Sequence, residues 1–282
     1  MVQSSSALNN RNQLKSQLKS LPSGPDEDMD LAAAALNIAV LDRPGTSTEP
    51  YARHLEVLAG EVGQYAGTDP DVDTALEALV QVISRRYGYG GSEEVFGELA
   101  SANLSHVIDN RSGLPVAIGI IYIHAARAQG WSATGIDFPG RFLIRLELNS
   151  ERRIFDPFED GATLAPHELR HMLKAAIGHD AELNPDHYSD LNNCNILLRL
   201  ENYCKVRHLK AERFDEALDV INTMLLFAPD NATLWREAGM IHVKLEHIPD
   251  AIAALEEYLR LDTSTSNRYS ATRLLQELRS QI

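Results

Sequence analysis

The stretch GLPVAIGIIYIHAARAQG, residues 113–130, constrains the fold of this chain more than any other. It is apolar on nearly every side, opens with Pro115 where proline suits a first helical turn, and stops at Gly130. A helix of this kind must be covered all round. It is therefore expected to be the central, most buried helix of a domain rather than an amphipathic surface element.

The next segments of the chain supply a partner for it. WSATGID, RFLIRLEL and RRIFD read as strands, the second with Phe142, Ile144, Leu146 and Leu148 alternating against Arg145 and Glu147. They predict a small, mainly antiparallel sheet packed on the central helix. Upstream, DLAAAALNIAVLD ends at the Arg43-Pro44-Gly45 break, a second helix runs over about residues 50–65, and GTDPD makes a turn. After that turn Leu76, Leu79, Val80 and Ile83 fall at i, i+3, i+4 and i+7, one buried helix face.

The C-terminal part changes character. Ala217 and Ala251 lie 34 residues apart, as do Phe214 and Ile248, His208 and His242, and Leu225 and Leu259. That period is the signature of helix-turn-helix repeats, with residues from about Ser266 onward as a capping helix. An ordinary helical bundle is the alternative. Trp235, Gly239, Ala251 and Leu255 fit the tetratricopeptide pattern in the second copy, whereas the first has Glu201 and Lys205 where the pattern has Trp and Gly.

With 282 residues the chain is long enough for two modest domains. No run of about 18 apolar residues is present, so no membrane span is expected. The net charge of -14 disfavours nucleic acid and anionic lipid as principal partners. Two cysteines, Cys194 and Cys204, without a metal-ligand pattern, point to a reducing compartment. Residues 1–25, rich in Ser, Asn and Gln with no acid before Asp26, read as a disordered tail. Organelle targeting is an alternative for it, and Leu14, Leu18 and Leu21 offer one short helical stripe.

PHELRH, residues 166–171, contains H-E-x-x-H, in which two histidines one turn apart hold zinc and the glutamate activates water. On that helix Leu169, Met172, Leu173 and Ala176 form the core stripe, which turns His167 and His171 towards solvent. A catalytic zinc needs a third protein ligand, and the spacing of His179 and His187 does not present either to that face. A solvated helix is the preferred reading, with a zinc hydrolase through His167, Glu168 and His171 as an alternative.

Taken together, YGYGG, NLSHVIDNRSGLP, PGRFLIRLE and IFDPFEDG, in this order and separation, resemble the bacterial transglutaminase-like family whose members carry C-terminal tetratricopeptide repeats. The resemblance runs from about Asp26 to the C-terminus and is nearest to a branch named for a link to invasion-gene regulation, for which it implies no established activity. It implies an α+β fold: a helical N-terminal part and central helix on an antiparallel sheet over 26–188, then helical repeats over 189–282. In active members a cysteine at the start of the central helix attacks an acyl group, a strand histidine takes its proton and an aspartate orients that histidine. The matching positions here are Pro115, Arg141 and Asp156. Proline has no thiol and arginine is no base, so the resemblance implies a site without its nucleophile and base.

Arg141 and Asp156 are expected to form a cross-strand ion pair instead. Asn103, His106 and Arg111 match polar positions of the family block and are candidate pocket residues; Asn103 fits a helix cap, and His106 and His124 fit packed histidines. The leading expectation is a non-catalytic cytoplasmic interaction or regulatory module without cofactor, binding protein or peptide through its repeats; a purely structural array is the other reading of them. A hydrolase or acyltransferase with a non-standard site, using His106, Ser105 or Ser112 with Asp156, is the enzymatic alternative.

Overall fold

The computed structural model describes residues 2–21, 26, 29–43 and 45–280. The chain forms two compact units: residues 1–14 with 26–200, and the segment from Lys15 with residues 201–282.

The first unit is built on helices α1 (Val2–Ser20, whose end belongs to the second unit), α2 (Leu31–Leu41), α3 (Glu49–Ala66), α4 (Val72–Leu79), α5 (Leu104–Asn110), α6 (Pro115–Arg127) and α7 (Pro166–Ile177). Between α6 and α7 run strands β1 (Ser132–Phe138), β2 (Arg141–Leu148), β3 (Glu151–Asp156) and β4 (Ala162–Thr163), and β5 (Asp190–Leu191) comes after α7. The sheet is antiparallel throughout, in the order β4-β3-β2-β1-β5.

Helix α6 is the expected central helix. From Val116 to Ala126 every side chain except His124 is buried, as a helix without a polar face requires. It lies against the β2 face that carries Phe142: a Cβ built on Gly119 would sit 2.4 Å from the Phe142 ring, and one on Gly135 of β1 would sit 2.7 Å from it. Glycine at these two places makes room for the aromatic ring between helix and strand. The helix stops where Gly130 takes φ +78° and Trp131 N–H returns to Ala126 C=O. Asp30 and Asp71 cap α2 and α4 by accepting from Ala33 and Thr74 N–H. Helix α4 continues as a π-helical turn over Val80–Arg86, with Val80, Val82 and Ile83 all buried.

Three sequence expectations need correction. The alternation in β2 predicts a solvated second face, yet Leu143 is fully buried and Arg145 only 9% exposed. The reason is α7, whose Leu169 and Leu173 close a second core with Ile136, Phe138 and Leu143 on that face. The boundary expected at 188/189 also shifts: β5 pairs with β1, and the first unit runs to Leu200, inside α8 (Asn193–Lys210). Asn193 fixes the start of that helix, its backbone N–H and side-chain amide donating to Asp26 at 2.7 and 2.6 Å. Finally, the tail expected to be disordered is helical over Val2–Ser20, with Leu14 and Leu18 buried. These two leucines stand one turn apart, so a low overall hydrophobicity conceals a usable apolar stripe. Met1 and residues 22–25 of that tail, and Pro44 of the expected break, lie outside the described residues.

The second unit continues through α8 into α9 (Phe214–Phe227), α10 (Ala232–Lys244), α11 (Ile248–Leu261) and α12 (Thr265–Arg279). The 34-residue period is physical. Glu212 and Glu246 both take positive φ in the turn, and Arg213 and His247 N–H bond to His208 and His242 C=O, each at 2.9 Å. Ala217 and Ala251 are both fully buried. A Cβ on Gly239 would lie 2.9 Å from Leu255, so the second copy uses glycine to bring α10 and α11 together. In the first copy Lys205 holds that position, 5% exposed and paired across helices with Glu237 at 2.6 Å.

Candidate functional site

Three of the sequence motifs meet at the N-terminus of α6. Gly90 bridges Ser112 in parallel fashion, its N–H donating to Arg111 C=O, and Leu114 N–H donates to Ser101 C=O. Pro115 comes next as the first residue of α6 and is half-buried. Beside this bridge a Cβ on Gly91 would collide with the ring of Phe158, and Phe158 N–H donates to Asp156 Oδ1 at 2.8 Å. A short chain of contacts thus joins the start of the helix to the end of β3.

Arg141 and Asp156 are paired, with Nη1 to Oδ2 at 2.6 Å. The β2–β3 register sets Ile144 against Phe155; one step further along, Leu143 stands across from Asp156, which makes Arg141 its diagonal neighbour on the same face. Asp156 is 2% exposed and Arg141 is exposed; the guanidinium also reaches Glu159 at 3.1 Å. The hydrogen bond to Asp156 holds the guanidinium more firmly in its charged form. A buried carboxylate with an arginine and a backbone N–H can anchor a loop; it has no base to orient.

The other candidates disperse. Asn103 caps α5, its Oδ1 accepting from His106 N–H at 3.1 Å and its Nδ2 donating to Ala39 C=O at 2.8 Å. Ser105 is fully buried, its hydroxyl donating to Asn103 and accepting from Arg43. Those partners are not imidazoles, which removes the hydroxyl–imidazole pairing at Ser105 that a non-standard hydrolase would use. His106 is half-buried, and His124, also half-buried on α6, is shifted by burial towards its neutral form. Cys194 and Cys204 form no disulfide, and burial pushes the Cys194 thiol up, the opposite of an activated nucleophile.

Arg111 leads to a cluster that the sequence alone does not reveal. From a left-handed position with φ +59° it closes α5 and donates to the Tyr89 hydroxyl and, at 2.8 Å, to His54 Nε2. The guanidinium stands 4.8 Å from the centre of the Tyr89 ring. The Tyr89 hydroxyl in turn lies 2.9 Å from His54 Nε2, and Tyr87 and Arg86 both hold Glu61 at 2.7 Å. Every donor is satisfied only if His54 Nε2 is an unprotonated acceptor. Burial, then Arg111, accordingly lowers the His54 pKa, and burial pushes Tyr89 up to about 12. The sequence signals are two tyrosines flanking Gly88 and a histidine at the edge of α3's apolar stripe, one residue before Leu55.

This cluster makes stability depend on pH. With its folded pKa below the ordinary 6.5, His54 binds fewer protons in the folded than in the unfolded state. Its contribution is complete above that ordinary value and is lost as pH falls through the folded one. Urea midpoints taken between about pH 7.5 and 5.5 are expected to fall more steeply for the wild type than for His54→Gln; equal slopes would exclude this role.

His167 and His171 lie exposed on α7, opposite buried Leu169 and Leu173, as their spacing predicts, and Glu168 is engaged by Ala165 N–H at 2.7 Å. Among the described residues, the group of three that could share a metal lies elsewhere: His242, His247 and Asp250, with ligand atoms within 4.8 Å of one another. One period earlier the same positions carry His208, Arg213 and Glu216, an arginine replacing the second ligand. In the same unit a groove of about 720 Å³ is lined by Leu209, Phe214, Arg236, Met240, Lys244 and Leu274 among others. Met240 is 49% exposed there.

Comparison with known proteins accords with this architecture. The model of the transglutaminase-like superfamily matches residues 49–202, and a tetratricopeptide repeat model matches residues 204–276. Similar chains include a UPF0162 protein of Vibrio cholerae, 29% identical over 83% of this chain and 88% of its own length. Another from Xylella fastidiosa is 27% identical over 86% of this chain and 87% of its own. Protein SirB1 of Salmonella typhimurium is 27% identical over 62% of this chain and 65% of its own length. No solved structure matches the chain.

Proposed function

From the premise that this chain belongs to the transglutaminase-like superfamily, we propose that it is a non-catalytic member. It works in the cytoplasm as an interaction or regulatory module, with the helical repeats receiving a protein or peptide. The observation that carries this reading is the Arg141–Asp156 pair. In an active relative the aspartate would orient a histidine; here it neutralises an arginine that cannot accept a proton at neutral pH. Pro115 at the start of α6 offers neither a thiol nor a backbone N–H. The assigned nucleophile and base positions are thus filled by residues that stabilise structure.

Support for the partner role comes from the tetratricopeptide match and from the groove beside Met240. Helical repeats of this type bind extended or helical segments along such grooves. Arg236 and Lys244 line it together with Glu237, whose carboxylate Lys205 already pairs, so the two remaining cations favour an acidic segment.

The experiment is capture of partners by the full-length protein from lysate of its own source, against full-length Met240→Glu. Met240 is exposed, so the variant keeps its fold while placing a charge in the groove. A protein retained by the wild type and lost with the variant is the expected result. Equal recovery by both would take the partner away from the repeats, and turnover of an acyl substrate by the wild type would overturn the non-catalytic reading.

A further inference from the structure

A second cavity, of about 640 Å³, opens in the first unit on the sheet face covered by α7. Four arginines line it: Arg145, Arg152, Arg153 and Arg170. In a chain with net charge -14 such a local excess is unusual, and the roles of the four differ. Arg145 is buried, pairs with Asp190, and donates to Tyr188 C=O at 2.6 Å. Its Nε makes no hydrogen bond to the described residues, the nearest carboxylate being Glu147 at 3.9 Å. Arg153 is held by Asp73 at 2.7 Å and Glu151 at 3.3 Å. Arg152 and Arg170 are exposed, and no carboxylate among the described residues lies within 4.0 Å of either.

Arg145 and Arg153 are therefore anchored, Arg153 by Asp73 away from the face under α7, while Arg152, across the β2–β3 register from Glu147, and Arg170 make no ion pair within 4.0 Å among the described residues and leave their guanidinium groups available. The cavity's one acidic lining residue, Glu168, is engaged by Ala165 N–H. The remaining wall includes Ile154, Leu164, Leu169 and Leu183, the edge of the core beneath α7. Arginine forks match carboxylate and phosphate oxygens, and a concave apolar wall beside them matches a hydrocarbon body. We propose that this cavity binds a small amphipathic oxyanion, a carboxylate or phosphate ester carrying an apolar tail, with its head between Arg152 and Arg170. The site is separate from the repeats and from the Arg141–Asp156 pair, and its ligand does not depend on the non-catalytic reading.

The test uses the full-length protein and the fluorescent amphipathic anion anilinonaphthalene sulfonate, displaced by octanoate, octyl phosphate or uncharged octanol. Arg152→Gln and Arg170→Gln, singly and combined, remove the free charges from exposed positions, so the fold survives and circular dichroism verifies it. The double variant is expected to weaken the displacing anion by ~10-fold or more, since each lost charge-assisted contact counts. Displacement by octanoate alone assigns a carboxylate, by octyl phosphate alone a phosphate ester, and either supports the site. Equal affinity in wild type and double variant, displacement by neither anion, or an octanol affinity matching that of the anions overturns it.

Discussion

Gly119→Val is expected to destabilise the first unit by about 3 kcal/mol or more, read as a fall in the urea midpoint with an unchanged slope. A Cβ at Gly119 would stand 2.4 Å from the Phe142 ring, and the ring has nowhere to go. Its far side already packs so closely over the backbone of Gly135 that a Cβ there would lie 2.7 Å from the ring, and Ile196 Cδ1 lies 3.1 Å from the same point. Close-packed interiors respond to extra carbons by forcing side chains off their rotamers or by moving backbone. Here the backbone belongs to the helix that the whole unit surrounds. Trimming the obstacle gives the control: Phe142→Leu costs stability by itself, but combined with Gly119→Val it should cost less than the two separate losses added. A double-mutant cycle without such coupling would show that the close approach does not govern this packing.

The second large effect concerns thiol chemistry. Pro115→Cys places a thiol at the first turn of α6, where the helix dipole already favours a thiolate. Adding Arg141→His puts an imidazole next to Asp156, restoring the three residue types that the family resemblance assigns to these positions. A neighbouring imidazolium takes a thiol from its free pKa near ~8.5 into the range ~3.5–7.5. Alkylation of the new cysteine by iodoacetamide near pH 6, followed by site-resolved mass spectrometry, is therefore expected to run on the order of 10–100-fold faster in the double variant than in Pro115→Cys alone. Cys194, whose thiol burial pushes up, serves as the slow internal reference. Equal rates in both variants would mean that positions 115 and 141 do not face each other across one site, and the degenerate-triad reading would fall with them.

Local and periodic features of this protein are legible without coordinates. The all-apolar stretch after Pro115 makes α6 central because no orientation of such a helix leaves a polar face for water. The 34-residue recurrence of Phe214 and Ile248, or Ala217 and Ala251, makes repeats because identical burial demands return at identical spacing. The outward turn of His167 and His171 comes from 100° per residue alone, and the Arg141–Asp156 pair from strand adjacency and opposite charge.

Tertiary structure decided whatever depended on which distant segments meet. Strand alternation turns Arg145 towards solvent, but α7 folds over that face and buries it in the wall of a cavity that Arg152 and Arg170 also line. A strand pattern cannot announce that its second face will be covered by a helix some twenty residues later. His54, Tyr89 and Arg111 come from three separate segments, and only their convergence turns a half-buried histidine into a neutral acceptor. The pair Asp190–Leu191 is too short to show strand periodicity, yet its bonds to β1 carry the first unit past the expected boundary into α8. Sequence by itself determined the long periodic elements and the chemistry each residue can perform, because these come from side-chain type and helical or strand period. The partners of those residues, and with them the cavities and shifted protons, were settled by contacts between segments far apart in the chain, on which local spacing has no bearing.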